Sequence, residues 1–151
     1  MKNIFKVLSV ILLLAGCTSP KPVGKAPRDV LVPGKGQVWQ LVALQGKPLD
    51  PADKAPTLIL NPDAATASGF AYCNNYSFQM KMEQPESHPE GDSFRVQLQL
   101  WGTGSLSCPD KEMNAESRYL TLLAKGERLV INATTLVIYQ RNKEILRYSL
   151  Q

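Results

Sequence analysis

The chain has 151 residues, 44% of them hydrophobic, and a formal net charge of +4. That length favours one domain with a real core over two. The charge is uneven: without Lys2 and Lys6 the +4 becomes +2, residues 18–36 carry +3, and the chain from Gln37 onward is −1. Binding to nucleic acid needs a clustered basic face, and the sequence offers none, so no nucleic-acid partner is expected.

The first sixteen residues read as a cleaved leader. Lys2 and Lys6 precede an apolar run from Val7 to Ala15, which is far shorter than the roughly 20 residues a spanning helix needs. The run ends at Leu14-Ala15-Gly16-Cys17, small residues before a cysteine, the pattern of a bacterial lipoprotein signal. Cys17 is therefore the expected lipidation site, and the membrane is an expected partner through acyl chains on Cys17. Two or more chains give stable anchoring at about 0.8 kcal/mol per buried CH₂. Thr18 follows the cysteine where inner-membrane lipoproteins often carry Asp, so the expected location is the outer membrane, facing the periplasm. From Cys17 to Gly36 the chain contains Pro20, Pro22, Pro27 and Pro33 with Gly24, Gly34 and Gly36, a spacer composition. Its one apolar cluster, Val30-Leu31-Val32, is a candidate short edge strand.

Residues 37–151 read as the folded domain. Val38 to Leu44 is rich in β-formers and stops at Gln45-Gly46-Lys47-Pro48. Thr57 to Leu60 is a second strand. Tyr76, Phe78, Met80 and Met82 alternate with polar residues, as do Phe94, Val96, Leu98 and Leu100. Period-two alternation predicts one buried and one wet face in each. The polar segment Glu83–Asp92 between them predicts a long hairpin loop, with His88 in it solvated. Pro109 to Lys125 lacks alternation and places Met113, Leu120 and Leu123 on one helical face, with Tyr119 and Leu122 beside it. Pro109 suits a first turn, Asp110 and Glu112 suit the positive end of the dipole, and Gly126 is a candidate left-handed cap. Strands Arg128–Ile131, Leu136–Gln140 and Ile145–Leu150 follow. The predicted fold is α+β, a curved antiparallel sheet or small barrel of seven to eight strands with one helix packed on it or plugging it.

With Cys17 acylated, Cys73 and Cys108 remain. In an oxidising compartment an even pair predicts a disulfide. Free thiols, a metal pair and a redox couple are the alternatives. Zinc wants four ligands, the single histidine is His88, and the sequence has no Cys-x-x-Cys. No metal or cofactor is expected. Nor is a catalytic group: nucleophilic catalysis needs a base and an orienting partner, and His88 is a poor base candidate. Trp101 beside Gly102, with Asn74 and Asn75 after the cysteine, are the candidate groove or partner surface. The two asparagines equally suit a left-handed turn, and Trp101 equally suits a cap on the core.

Trp39-Gln40-Leu41 followed by Gly46, then Pro56-Thr57-Leu58, Gly69-Phe70-Ala71-Tyr72-Cys73-Asn74-Asn75-Tyr76, Cys108, and Glu116 followed by Tyr119-Leu120 and Leu123 together resemble the META domain, the HslJ-like family of bacterial envelope proteins. So does the late Leu136-Val137-Ile138 strand. The family's central pattern is Gly-x-x-Gly-Cys-Asn-x-aromatic. Tyr72 stands where that pattern has glycine, and Gly104-Ser105-Leu106-Ser107-Cys108 stands where the family has Thr-x-Met-x-Cys. The resemblance implies a small barrel closed by a helix and a link to envelope stress and drug tolerance, without an agreed activity. The expected role is a non-enzymatic envelope lipoprotein that binds a protein partner. A pilot lipoprotein for a secretin is the alternative, and a lysozyme inhibitor a weaker one, because Thr66–Tyr72 resembles the Ser-Ala-Ser-Gly-x-x-Tyr loop of membrane-bound lysozyme inhibitors.

Overall fold

The computed structural model describes residues 36–50, 54–83 and 85–151. Cys17, the leader and the tether as far as Lys35, including the Val30–Val32 edge strand, lie outside those residues. The elements in chain order are β1 (Trp39–Leu44), β2 (Lys47–Pro48), β3 (Thr57–Asn61), β4 (Thr66–Ala71), β5 (Asn74–Met82), β6 (Glu86–His88), β7 (Gly91–Thr103), α1 (Asp110–Ala124), β8 (Arg128–Ile131), β9 (Thr135–Gln140) and β10 (Lys143–Leu150). Eight strands, in the order β10-β9-β8-β7-β5-β4-β3-β1, form a barrel that closes where β1 pairs with β10. Every pairing is antiparallel. β2 turns back on β1, and β6 forms a hairpin with the start of β7.

The α+β barrel with one helix is thus the observed fold. Alternation is visible in β5, where Tyr76, Phe78 and Met80 are buried while Asn75, Gln79 and Lys81 are exposed. Three local expectations change. The Glu83–Asp92 loop contains a strand, because Glu86–His88 pairs with Gly91–Ser93. Thr66–Ala71 is a strand although it carries no alternating large residues; Ala67 and Ala71 face inward, fully buried. Gly126 is not a left-handed cap. The helix ends in right-handed geometry at Lys125, with φ −88 and ψ 0. A Cβ on Gly126 would lie 2.7 Å from Ile138 Cγ2, so close packing on β9 selects glycine there.

An eight-stranded barrel is just wide enough for side chains to fill. Trp39, Tyr119, Tyr148, Phe78 and Leu41 are among the fully buried side chains that fill this one. The helix packs on β4, β7 and β10 and buries Glu116, Tyr119, Leu120, Leu122 and Leu123. Met113, predicted on that buried face, is 38% exposed.

Tyr119 joins opposite walls. β5 and β10 stand four strands apart around the eight-strand ring, and Tyr119 Oη lies 2.9 Å from Tyr76 Oη of β5 and 3.0 Å from Tyr148 Oη of β10. Tyr76 donates its one hydroxyl proton to the Thr57 carbonyl at 2.8 Å. Tyr119 must then donate to Tyr76, and Tyr148 to Tyr119, which gives a directed chain across the barrel. Burial is the main force raising all three hydroxyl pKa values well above 10.0. A neighbour's phenolate charge would raise each further: Tyr119 for Tyr76, Tyr148 for Tyr119, and Tyr76 for Tyr148.

The sign of the alkaline dependence follows. Above pH ~10 the unfolded chain releases phenolic protons that the folded chain keeps. The contribution of these tyrosines is complete below that pH and falls as pH rises past it. Three of the chain's five tyrosines are therefore expected to ionise only as the domain unfolds. Tyrosinate absorbance should rise in step with loss of the far-UV circular dichroism; full ionisation of a folded domain would contradict this.

Candidate functional site

Two regions carry polar or apolar groups that the barrel alone does not explain: a buried cluster where β5 meets the helix, and the outer surface along β7. The buried cluster begins at Cys73, which forms a disulfide with Cys108 across a separation of 35 residues and a Cα–Cα distance of 6.1 Å. The bond ties the start of β5 to the entry of α1. Asn74 follows and is only 3% exposed. Its backbone N–H donates to Glu116 Oε2 at 2.6 Å and its Nδ2 to Glu116 Oε1 at 3.2 Å. Its Oδ1 accepts from the Leu106 N–H at 2.8 Å, and Nδ2 also reaches the Leu106 carbonyl at 3.3 Å.

Asn74 therefore belongs to the barrel wall, and its expected place on a partner surface is corrected. Its polar atoms are spent on α1 and on the loop before the helix. The left-handed residue at this corner is neither asparagine but Tyr72, at φ 64, the position where the family pattern has glycine. The altered loop motif is also explained. Asn74 grips the backbone of Leu106, whose side chain is 67% exposed, so that side chain is free to vary. Glu116 entered the sequence reading only as part of the resemblance. Its spacing from Tyr119, Leu120 and Leu123 repeats at three, four and seven residues, the period of a single helix face, and that signal alone marks it as buried.

A close approach fixes the neighbouring strand. A Cβ on Gly69 would lie 2.0 Å from the Thr57 carbonyl oxygen, the atom that accepts the Tyr76 hydroxyl. Thr57 Oγ1 accepts the Phe70 N–H at 3.1 Å. Glycine at 69 thus lets β4 lie against the end of the tyrosine chain.

The outer surface is organised by β7. Its first part, Asp92–Arg95, pairs with β8, and Val96–Thr103 pairs with β5. Beyond Arg95 no second strand pairs with it among the described residues, and α1 lies along that side. The β5 pairing slips between Ser77↔Gly102 and Phe78↔Leu100, which leaves Trp101 as the extra residue of a β-bulge. Bulges re-aim side chains, and Trp101 is 69% exposed. It is not a core cap. It borders one groove of about 470 Å³ with Gln79, Lys81, Gln97 and Gln99. A second, of about 390 Å³, holds Asn75, Ser77, Gly102 and Thr103. Asn75 and Trp101 thus border the same groove.

Leu100, expected inside by alternation, is 44% exposed. It meets Met113 and Leu120 in a groove of about 510 Å³ between β7 and α1, with Thr103, Thr121 and Ala124 in its walls. Trp101 is not part of that groove. His88 ends β6 and accepts the Glu90 N–H at Nδ1. Among the described residues, no group of three or more His, Cys, Asp or Glu side chains is placed to hold a metal ion.

An eight-stranded antiparallel barrel with one helix locked into it by a disulfide and a buried Asn–Glu contact defines a small class of domain. The META domain model matches residues 32–151, and the chain belongs to the META domain family. No curated protein matches it. Among solved structures, an NMR structure of a protein from Burkholderia xenovorans is similar at 19% identity, covering 76% of this chain and 81% of that one, with a TM-score of 0.56. A second NMR structure is 17% identical, covers 77% and 90%, and has a TM-score of 0.47. The first of these shares the fold.

Two substitution tests probe the buried cluster. Glu116→Ala removes the acceptor of the buried Asn74 N–H and one of the acceptors of its amide, and about 2–4 kcal/mol of stability is expected to be lost. A denaturant midpoint unchanged from the parent would contradict that assignment. Removing the disulfide through Cys73→Ser with Cys108→Ser should cost about 3–4 kcal/mol in the chain-entropy model. Equal melting with and without reductant would show that the bond is not holding the folded state.

Proposed function

We propose that this META domain protein is a non-enzymatic lipoprotein, anchored through Cys17 in the outer membrane and facing the periplasm, that supports the envelope by binding a protein partner. The anchor rests on Leu14-Ala15-Gly16-Cys17 after a short apolar run. The binding role rests on one observation above all: Leu100 and Met113, apolar residues with no place in the core, converge with Leu120 in an open groove. Apolar patches of this kind on a rigid frame are the usual mark of partner contact. The polar groups that reach the barrel interior, Asn74, Glu116 and the three tyrosines, are engaged with one another, which favours a structural use for them over catalysis.

The same groove favours a second reading, a pilot lipoprotein for a secretin. A pilot needs a place for an apolar segment of its client, and the groove between β7 and α1 supplies one outside the filled barrel. The lysozyme-inhibitor reading loses its support: the segment compared with an inhibitory loop is β4, paired on both sides by β3 and β5.

The test is crosslinking in native membranes, with the parent chain and two variants. Cys17→Ser is expected to leave the membrane fraction, and unchanged partition would refute acylation as the anchor. Leu100→Lys with Met113→Glu is expected to lose the crosslinked partner while keeping the parent melting temperature. Retention of the same crosslink would remove the groove from the account. A secretin as the captured protein would select the pilot reading.

A further inference from the structure

The outer face of β4, β5 and β7 has an unusual chemistry. Directly paired residues point to the same side of a sheet, and the pairs Thr66↔Gln79↔Gln99 and Lys81↔Gln97 put hydroxyl and amide groups in rows across three strands. Ser68 pairs with Ser77 in the next row. Trp101 stands at the end of these rows, lifted by the bulge. Along this face the outward residues of the three strands, from Thr66 to Phe70, Asn75 to Lys81 and Arg95 to Thr103, include no Asp or Glu. An ordinary soluble surface mixes both signs of charge; this one has only Lys81 and Arg95 at one end and is amide-rich around a single exposed indole.

The indole is open on two sides. The groove with Gln79, Gln97 and Gln99 lies along one flank and the Gly102–Thr103 groove along the other. An aromatic face carries negative potential and attracts weakly positive C–H groups. Glutamine and serine side chains offer donors and acceptors together. A pyranose ring has the matching pattern: C–H groups on its faces and hydroxyls around its edge. Nucleic acid would need a clustered basic face, and a lipid surface would need several apolar side chains beside the tryptophan.

We propose that this face is a saccharide-binding site. Trp101 stacks on a sugar ring, Gln79, Gln97 and Gln99 bond its hydroxyl or acetamido groups, and Lys81 meets a carboxylate at the rim. The ligand is a strand of N-acetylated amino sugar of the kind that forms the bacterial cell wall. The choice of that strand over other glycans rests on the envelope reading above; the sugar chemistry of the face does not.

The experiment uses the full chain in detergent micelles, with chitohexaose as the probe and purified cell-wall sacculi as competitor. Trp39 is 1% exposed and Trp101 69%, so a saturable blue shift in tryptophan emission reports Trp101. Binding is expected with a dissociation constant of about 0.1–1 mM. Both Trp101 variants lose that reporter, so their binding is read by titration calorimetry beside the parent: Trp101→Ala is expected to weaken it by about tenfold or more, whereas Trp101→Phe, which keeps an aromatic face, stays within about threefold. Gln79→Ala with Gln99→Ala should weaken it at an unchanged melting temperature. No saturable shift, or equal binding by Trp101→Ala, would overturn the proposal. So would a shift produced by phosphatidylglycerol vesicles but not by sugar, with the Cys17→Ser chain. Chitohexaose binding by a chain found to be unacylated would sustain the sugar site while the anchor reading failed; acylation without sugar binding would do the reverse.

Discussion

Glu116 sits on the buried face of α1 between residues that pack into the barrel, and its carboxyl oxygens accept two hydrogen bonds from Asn74 at the first position of β5. Burying a carboxyl group is costly unless donors meet it, so the helix has one favourable seat. That seat sets much else. It brings Tyr119 to the point where β5 and β10 face each other, which allows the hydroxyl chain to the Thr57 carbonyl. It also places the Cys108 loop within reach of Cys73, so the disulfide reinforces an arrangement the hydrogen bonds already select. A barrel of eight strands without this helix would expose the tyrosine hydroxyls at its mouth.

The long strand β7 is where the barrel departs from regularity, and the departures lie together. It changes neighbours at Arg95, gains an extra residue at Trp101 and shows its free side to the helix. Leu100 keeps the inward side, opposite Phe78, and borders the helix groove, while Trp101 keeps the outward side that it shares with Gln97 and Gln99. Free strand edges invite unwanted pairing unless something covers or twists them. Here α1 covers one part and the bulge twists another. The features that protect the edge are thus the ones that create the two exposed surfaces.

Much of this was legible in the sequence, and the failures have physical causes. Tyr76–Met82 was readable because large apolar and polar residues alternate on a strand that has one wet face. The helix was readable from its lack of alternation and its Pro109 entry. Thr66–Ala71 was not, since small residues on a strand against the tyrosine chain give no periodic signal; Gly69 is there for a contact with Thr57. Leu100 keeps the inward side that alternation gives it, opposite Phe78, but there it meets α1 at an open groove rather than the filled core, and alternation reports side and not depth. Gly126 was misread because glycine answers to two different needs, positive φ and close packing, and the sequence does not say which. Asn74 and Asn75 look alike in the chain, yet one faces the helix and the other the solvent, as successive strand residues must.

Tyr72 shows how the domain tolerates a departure from its family pattern. At φ 64 a side chain with a Cβ is disfavoured by about 1–2 kcal/mol relative to the ordinary regions. Glycine would avoid that cost but would add nothing to the corner. The Tyr72 ring instead meets Tyr119 edge-on, with centroids 6.4 Å apart and an interplanar angle of 82°, an arrangement that contributes about 0.5–1.5 kcal/mol beyond simple burial. Strain and packing are therefore of similar size. The backbone turn is held in any case by Cys73 and Asn74 on its far side, so the residue at 72 can be chosen for what its side chain contacts. In this chain it extends the aromatic cluster around Tyr119, the same residue that the Glu116 contact holds in place.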